Sequence, residues 1–148
     1  SSSGGTALFI IESALTKGLR FSSVWSVGNS KQIGVEEVIE YMDRNFDPVL
    51  DSKIKMLYIE QIKNPDKLLY HASSLMRKGC HIAAINAGST DVGRRAASSH
   101  TGAIANSDSA VEALFRKAGI VRCFSRLFCA DGCNLAYVSF ISDLVCFH

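Results

Sequence analysis

Hydrophobic positions along this chain follow two rhythms that take turns. From Gly4 to Lys17, Ala7, Leu8, Ile11, Ala14 and Leu15 return at spacings of three and four behind three serines able to cap a helix, which predicts a helix from about Gly5 to Lys17 closed by Gly18. Ser22 to Val27 is short, β-branched and aromatic and stops at Gly28-Asn29, as a strand meeting a turn does. Val35, Val38, Ile39 and Met42 then share one helical face, with Glu36, Glu37, Glu40 and Asp43 on the other, and the acidic first turn suits the helix dipole. Ile54 to Ile59 reads as a buried strand ending on a carboxylate, Glu60. A helix opens at Asn64-Pro65 and carries Leu68, Leu69, Ala72, Leu75 and Met76 inward. Cys80 to Ala87 is a further apolar strand. After the irregular stretch Gly88 to Asn106 come a helix from about Ser107 to Ala118 and a short strand at Ile120 to Cys123.

Alternating strand and helix favour an α/β domain whose sheet is mainly parallel, covered on both faces and joined by right-handed crossovers. Both ends depart from the pattern. No strand stands ahead of the first helix, so the sequence is expected to be a fragment of a longer polypeptide. Beyond Arg122 the alternation gives way to a Cys- and Phe-rich tail with room for one more element near Leu135 to Ile141. The organisation expected is one domain over residues 1–123 and an atypical tail over residues 124–148.

Composition narrows the function classes. The 148 residues carry 16 Lys+Arg against 14 Asp+Glu, a formal charge of +2, and 47% are apolar. A balance this close argues against a nucleic-acid arm or a polybasic membrane surface, and the apolar content against disorder. No run approaches the roughly 20 apolar residues of a membrane helix, and no export signal opens the chain. The five cysteines are uneven: Cys80 stands apart, whereas Cys123, Cys129, Cys133 and Cys146 crowd the end. That is no disulfide framework, and it points to a reducing, cytoplasmic setting. Cys129, Cys133, Cys146 and His148 imitate a zinc set but lack paired CxxC spacing, so no metal site is assigned.

Ligands of open parallel sheets bind beyond the carboxyl ends of the strands, which would gather Ser1 to Gly5, Gly28-Asn29, Glu60 and the loop from Gly88 on one rim. That loop is far longer than the usual four to six or so residues, and loops of this length tend to be functional. It holds Gly93, Arg94, Arg95, Ser98, Ser99, His100, Thr101 and Gly102. Ser99 is a poor nucleophile for its neighbour His100, because adjacent side chains diverge. His100 is the better one: an imidazole attacking phosphorus needs one free lone pair while a carboxylate or carbonyl holds its other nitrogen, and Glu60 could be that carboxylate. A phosphoryl group there would need donors, and Ser1-Ser2-Ser3-Gly4-Gly5-Thr6 opens a helix whose free amides bind anions. Each feature has a plainer explanation: a surface histidine, a solvated strand end, a simple cap or a cloning remnant, a solvated Arg94-Arg95 pair. His71 and His81 are assigned to structure.

The stretch GRRAASSHTGAIANSDSAVEALFRKAGIVRC, Gly93 to Cys123, resembles the NDP-forming acyl-CoA synthetases, the ADP-forming acetate-CoA ligases related to the succinyl-CoA synthetase α subunit. SSHTGA looks like that family's phosphohistidine loop, with His100 on the phosphorylated histidine. SSSGGTALFIIESALTKGLRFSSVWSVGN is similar to its S-x-S-G helix opening and V-G-N turn, and LYIEQI to its strand-end carboxylate segment. The resemblance runs from Ser1 to Cys123. It departs from the family at residues 124–148, where relatives continue with an acidic amphipathic helix; an altered reading frame, a truncation and a lineage-specific ending are the explanations.

The resemblance implies a flavodoxin-like three-layer α/β/α domain working beside a CoA-binding domain and an ATP-grasp domain or subunit, in an oligomeric full enzyme. In those enzymes an acyl-CoA and phosphate give an acyl phosphate, the phosphoryl moves to the histidine, and then to a nucleoside diphosphate with Mg²⁺. His100 would carry the phosphoryl and Glu60 orient its ring, with Ser3, Gly4, Gly5, Thr6, Ser99 and Gly102 holding phosphate. CoA and ADP/ATP with Mg²⁺ would be bound mainly by the partner domains, and the substrate would be a small carboxylic acid or its acyl phosphate. Two other classes compete. One is the regulatory domain of fused protein acetyltransferases, where the loop histidine tends to be replaced; the other is an FMN-binding flavodoxin-like module with Trp25 near the ring.

Overall fold

In the computed structural model, which describes residues 2–16, 18, 20–27, 32–87, 107–123 and 141–146, helices and strands alternate as the two rhythms predict. In chain order they are α1 (Ser2–Leu15), β1 (Arg20–Ser26), α2 (Val35–Arg44), β2 (Ile54–Ile59), α3 (Pro65–Arg77), β3 (His81–Asn86), α4 (Asp108–Ala118), β4 (Val121–Cys123) and β5 (Ile141–Cys146). The strands form one sheet in the order β1-β5-β2-β3-β4, with every neighbouring pair parallel. Residues beyond Arg122 therefore contribute a strand between β1 and β2. It starts where the expected Leu135 to Ile141 element ends, and residues 135–140 lie outside the described set.

β2 is buried at every position because both faces of the sheet are covered. On one face Leu57, Ile59, Ile82 and Ala84 pack beneath α2, α3 and α4 through Val35, Ile39, Leu68, Leu75, Val111 and Phe115. On the other, Met56, Tyr58, Ile85 and Cys123 meet Ile11 of α1. This is the three-layer α/β/α arrangement. Phe21 packs on the α1 face and Trp25 on the α2 face, although residues four apart in a regular strand share a face. A register irregularity between Phe21 and Ser23 supplies the extra residue that flips the parity.

Local chemistry explains the helix ends. Asn64 caps α3 by accepting from the Lys67 N–H at 3.0 Å, with Pro65 in the first turn. α4 stops at Gly119, whose φ of +77° is left-handed. α1 runs from Ser2 to Leu15 rather than from Gly5 to Lys17. The first helical N–H groups need no acceptor within the helix, so a Ser/Gly run can form the opening turn at little cost. Among the described residues, no helix is long and apolar enough to cross a membrane.

The acidic face expected on α2 is only partly a solvent face, since Glu36 and Asp43 are buried. Asp43 joins α2 to α3: His71 Nδ1 lies 2.8 Å from Asp43 Oδ2, and Lys78 Nζ sits 2.8 Å from Oδ1 while donating to the Asp43 carbonyl. Burial raises the Asp43 pKa, but hydrogen bonds from Lys78, His71 and Ser74 outweigh it and hold the carboxyl below its ordinary 3.8. A folded-state pKa that is depressed contributes stability above the unfolded value, and that contribution is lost as pH falls through the folded one. Asp43→Asn is accordingly expected to cost about 1–3 kcal/mol at pH 7. Urea unfolding of the two proteins should converge as the pH is taken below 3.8; a constant gap down to acid would show that the charge contributes nothing.

Candidate functional site

Parallel strands set their carboxyl ends on one edge, and the predicted site elements lead to it. Glu60, half-buried, is the first residue after β2. Next to it the Ala87 N–H donates to the Ile59 carbonyl over 2.7 Å, carrying the pairing of Ile59 with Asn86 one residue past the strands. Glu60 and Ala87 thus follow neighbouring strand ends, and Ala87 is the last described residue before segment 88–106, which bears His100. That segment ends at Ser107, which caps α4 by accepting from the Ala110 N–H at 3.4 Å. His100, Ser99 and Gly102 lie outside the described residues.

The third element is the start of α1. This helix leads into the amino end of β1 and packs along β1 and β5. Its 14 residues rise about 21 Å, close to the roughly 23 Å of a seven-residue strand, so its first turn comes back to the carboxyl edge. Ser3, Gly4, Gly5 and Thr6 fall in the opening turns rather than in a turn ahead of the helix. The N–H groups of Ser2 to Gly5 have no acceptor within the helix, and the dipole turns its positive end the same way. An anion at this edge would meet both.

Two charged side chains, Glu36 and Arg122, hold elements at this edge. Glu36, in the first turn of α2 and 1% exposed, accepts through Oε1 from the Lys63 N–H at 2.5 Å and the Asn64 N–H at 2.6 Å. Its neighbour Glu37 accepts from the Gly34 N–H at 2.6 Å and pairs with Lys67. Burial raises the Glu37 pKa, yet the Gly34 amide and Lys67 hold it below the ordinary 4.5. On the other side of the edge Arg122 of β4 is nearly buried and binds Asp108 with both guanidinium nitrogens, and Glu112 at 2.9 Å. The Asp108 hydrogen bond raises the Arg122 pKa against its burial, with Glu112 adding to it. The pair fixes the first residue of α4, where the long segment ends. Sequence periodicity missed Glu36 because its partners are backbone amides 27 and 28 residues away.

A family model described as "Succinyl-CoA ligase like flavodoxin domain" matches residues 1–130. The chain belongs to this family. Among relatives of the succinyl-CoA-ligase-like flavodoxin domain, it is 38% identical over 125 residues to an acetate–CoA ligase [ADP-forming] of Methanocaldococcus jannaschii, covering 84% of this chain and 17% of that one. It is 31% identical over 121 residues to acetate–CoA ligase [ADP-forming] II subunit alpha of Pyrococcus furiosus, covering 82% and 25%. The chain thus spans a quarter or less of the length of these relatives. A solved structure of the dinucleotide forming acetyl-coenzyme A synthetase 1 of Ca. Korarchaeum cryptofilum, in complex with phosphate and ADP, superposes with a TM-score of 0.61 at 24% identity over 76% of this chain and 29% of that chain. This likeness shows the flavodoxin-like fold. ADP-forming acyl-CoA synthetases are the enzymes in which close relatives of this domain are found.

Proposed function

We propose that this chain is the phosphohistidine-carrying domain of an NDP-forming acyl-CoA synthetase. Phosphate displaces CoA from an acyl-CoA to give an acyl phosphate. His100 then takes the phosphoryl group, releasing the carboxylate, and passes it to a nucleoside diphosphate, regenerating free imidazole and the triphosphate. Every step is reversible. The observation that supports this reading is the Ala87 to Ile59 hydrogen bond, which sets Ala87, the residue before segment 88–106, at the strand end that Glu60 follows. Glu60 accepts from one ring nitrogen, so the other keeps its lone pair toward phosphorus. The opening amides of α1, at Ser3 to Gly5, neutralise phosphate charge, with Thr6, Ser99 and Gly102 completing the cradle.

CoA, the nucleotide and its Mg²⁺ are assigned to a CoA-binding domain and an ATP-grasp domain or subunit, and the acyl substrate is a small carboxylic acid. The chain by itself would be catalytically incomplete. Its test is incubation with ATP, Mg²⁺ and an ATP-grasp subunit of an ADP-forming acetate–CoA ligase that labels an intact relative. Expected is acid-labile, base-stable phosphate on this chain. An unlabelled, folded chain would leave the regulatory-domain reading instead. Trp25 speaks against an FMN module: its ring lies 5.4 Å from that of Tyr41 and its Nε1 donates to Ser23 Oγ, so it is packed against α2.

A further inference from the structure

We infer that Glu36, remote in sequence from the reacting groups, is a positioning residue that acts through Glu60; this rests on the phosphohistidine reading. The connection from β2 to α3 is five residues long, Glu60 to Asn64, and it is held at both ends. Upstream, the Ile59 carbonyl accepts from the β3 side. Downstream, the Glu36 carboxylate gathers the N–H groups of Lys63 and Asn64 on one oxygen, while Ile62 is buried between the two anchors at 4% exposure. Where Glu60 stands is therefore set jointly by the sheet and by a carboxylate from another helix.

Two further observations say that this carboxylate is placed rather than incidental. Glu36 Oε2 is buried with no hydrogen-bond partner among the described residues, an arrangement that costs free energy and is tolerated where surrounding dipoles compensate. Here the amino ends of α2 and α3 both point at it: Glu36 lies in the first turn of one, and Asn64 is the cap of the other. Room for it depends on Gly34, where a Cβ would lie 2.3 Å from Oε2. A glutamine keeps an acceptor at the Oε1 position and removes the charge, so it separates the geometry of the connection from its electrostatics.

The experiment compares the rate of His100 phosphorylation in wild type, Glu36→Ala, Glu36→Gln and Gly34→Ala, each alone and combined with Glu60→Ala. Misplacement of about 1 Å can cost roughly a hundredfold, so Glu36→Ala and Gly34→Ala should lose roughly ten- to a hundredfold in kcat with KM for the phosphoryl donor unchanged. Glu36→Gln should stay within about threefold of wild type, because the acceptor is retained. In the Glu60→Ala background, where no acceptor is left to position, Glu36→Ala should add little, since residues acting as a unit are not additive. Multiplicative losses, or a fall in kcat that disappears once the rate is divided by the folded fraction measured by circular dichroism, would overturn the inference and leave Glu36 a purely structural clamp. Amide exchange at Lys63 and Asn64 checks that the clamp was released if Glu36→Ala folds poorly, in which case Gly34→Ala decides. An unlabelled wild type would defeat the phosphohistidine reading and the inference with it; a labelled wild type with an equally fast Glu36→Ala would defeat the inference alone.

Discussion

His100→Asn should remove acid-labile phosphate from the chain altogether, while His81→Asn should leave it unchanged. Asparagine keeps a side chain of similar reach and a hydrogen-bond donor, so the loop loses little packing. It has no basic nitrogen lone pair, so no P–N bond can form. The other histidines make useful controls because their settings differ. His71 is buried between α2 and α3, with Nδ1 2.8 Å from Asp43 and Nε2 3.9 Å from Glu40, so its second nitrogen is not open to phosphorus. His81 is exposed at the amino end of β3, the edge of the sheet opposite the rim. Phosphate persisting on His100→Asn would place the carrier elsewhere and remove the central element of the proposed function. Glu60→Gln should retain labelling at a lower rate, as it still presents an acceptor to the ring but no charge to stabilise it.

The second large effect is on folding: ending the chain at residue 140 should abolish its cooperative unfolding transition. β5 is aligned with β1 from Arg20 to Ser26 and with β2 from Ile54 to Tyr58. Without it neither neighbour has its ladder, and β1 with α1 loses the surface that joins them to the rest. At about 1 kcal/mol net for each backbone hydrogen bond the loss is on the order of 10 kcal/mol, comparable with the whole stability of a domain. A milder variant, Asp143→Lys, reads the register itself, because Asp143 is aligned with Lys55, a lysine only 2% exposed on β2. Two cations at adjacent positions should destabilise the sheet by up to a few kcal/mol. A truncated chain that melted at the wild-type temperature would show that β5 is not part of the folded sheet in solution.

How much of this was legible beforehand depends on how local each signal was. β2 was read to the residue from Ile54 to Ile59 despite Lys55, because five apolar positions surround it and Glu60 ends the run. The Asn64-Pro65 start of α3 was equally plain, since a cap and a proline are local chemistry. The acidic residues of α2 are legible only as the face opposite the apolar one, and the burial of Glu36 and Asp43 is not. Asp43 is buried by His71 and Lys78 on α3, and Glu36 by amides of another connection, and no periodicity within α2 contains those partners. The bulge near Ser22 was likewise invisible, as it depends on which strand lies alongside. At the candidate site, Glu60 and the opening of α1 were legible from their places after a strand and before an apolar stripe. The contacts of Glu36 with the connection after Glu60, and of Arg122 with the start of α4, were not. Ile141 to Cys146 is short and only partly apolar, and its place in the sheet is set by partners far back in the sequence.

That placement also orders the events of folding. Roughly 115 residues of chain separate Ser26 from Ile141, so pairing β1 with β5 carries nearly the largest loop-closure entropy this sequence can impose. The stretch from α2 through β4, by contrast, joins neighbours in sequence and can consolidate early around Leu57, Ile59, Leu75 and Phe115. During synthesis β1 must therefore wait for β5, its unpaired backbone N–H and C=O groups open to other chains for as long as the ribosome takes to deliver that strand. The opening of α1 is thus fixed on the rim only once β5 has arrived, although it precedes β5 in the chain by well over a hundred residues.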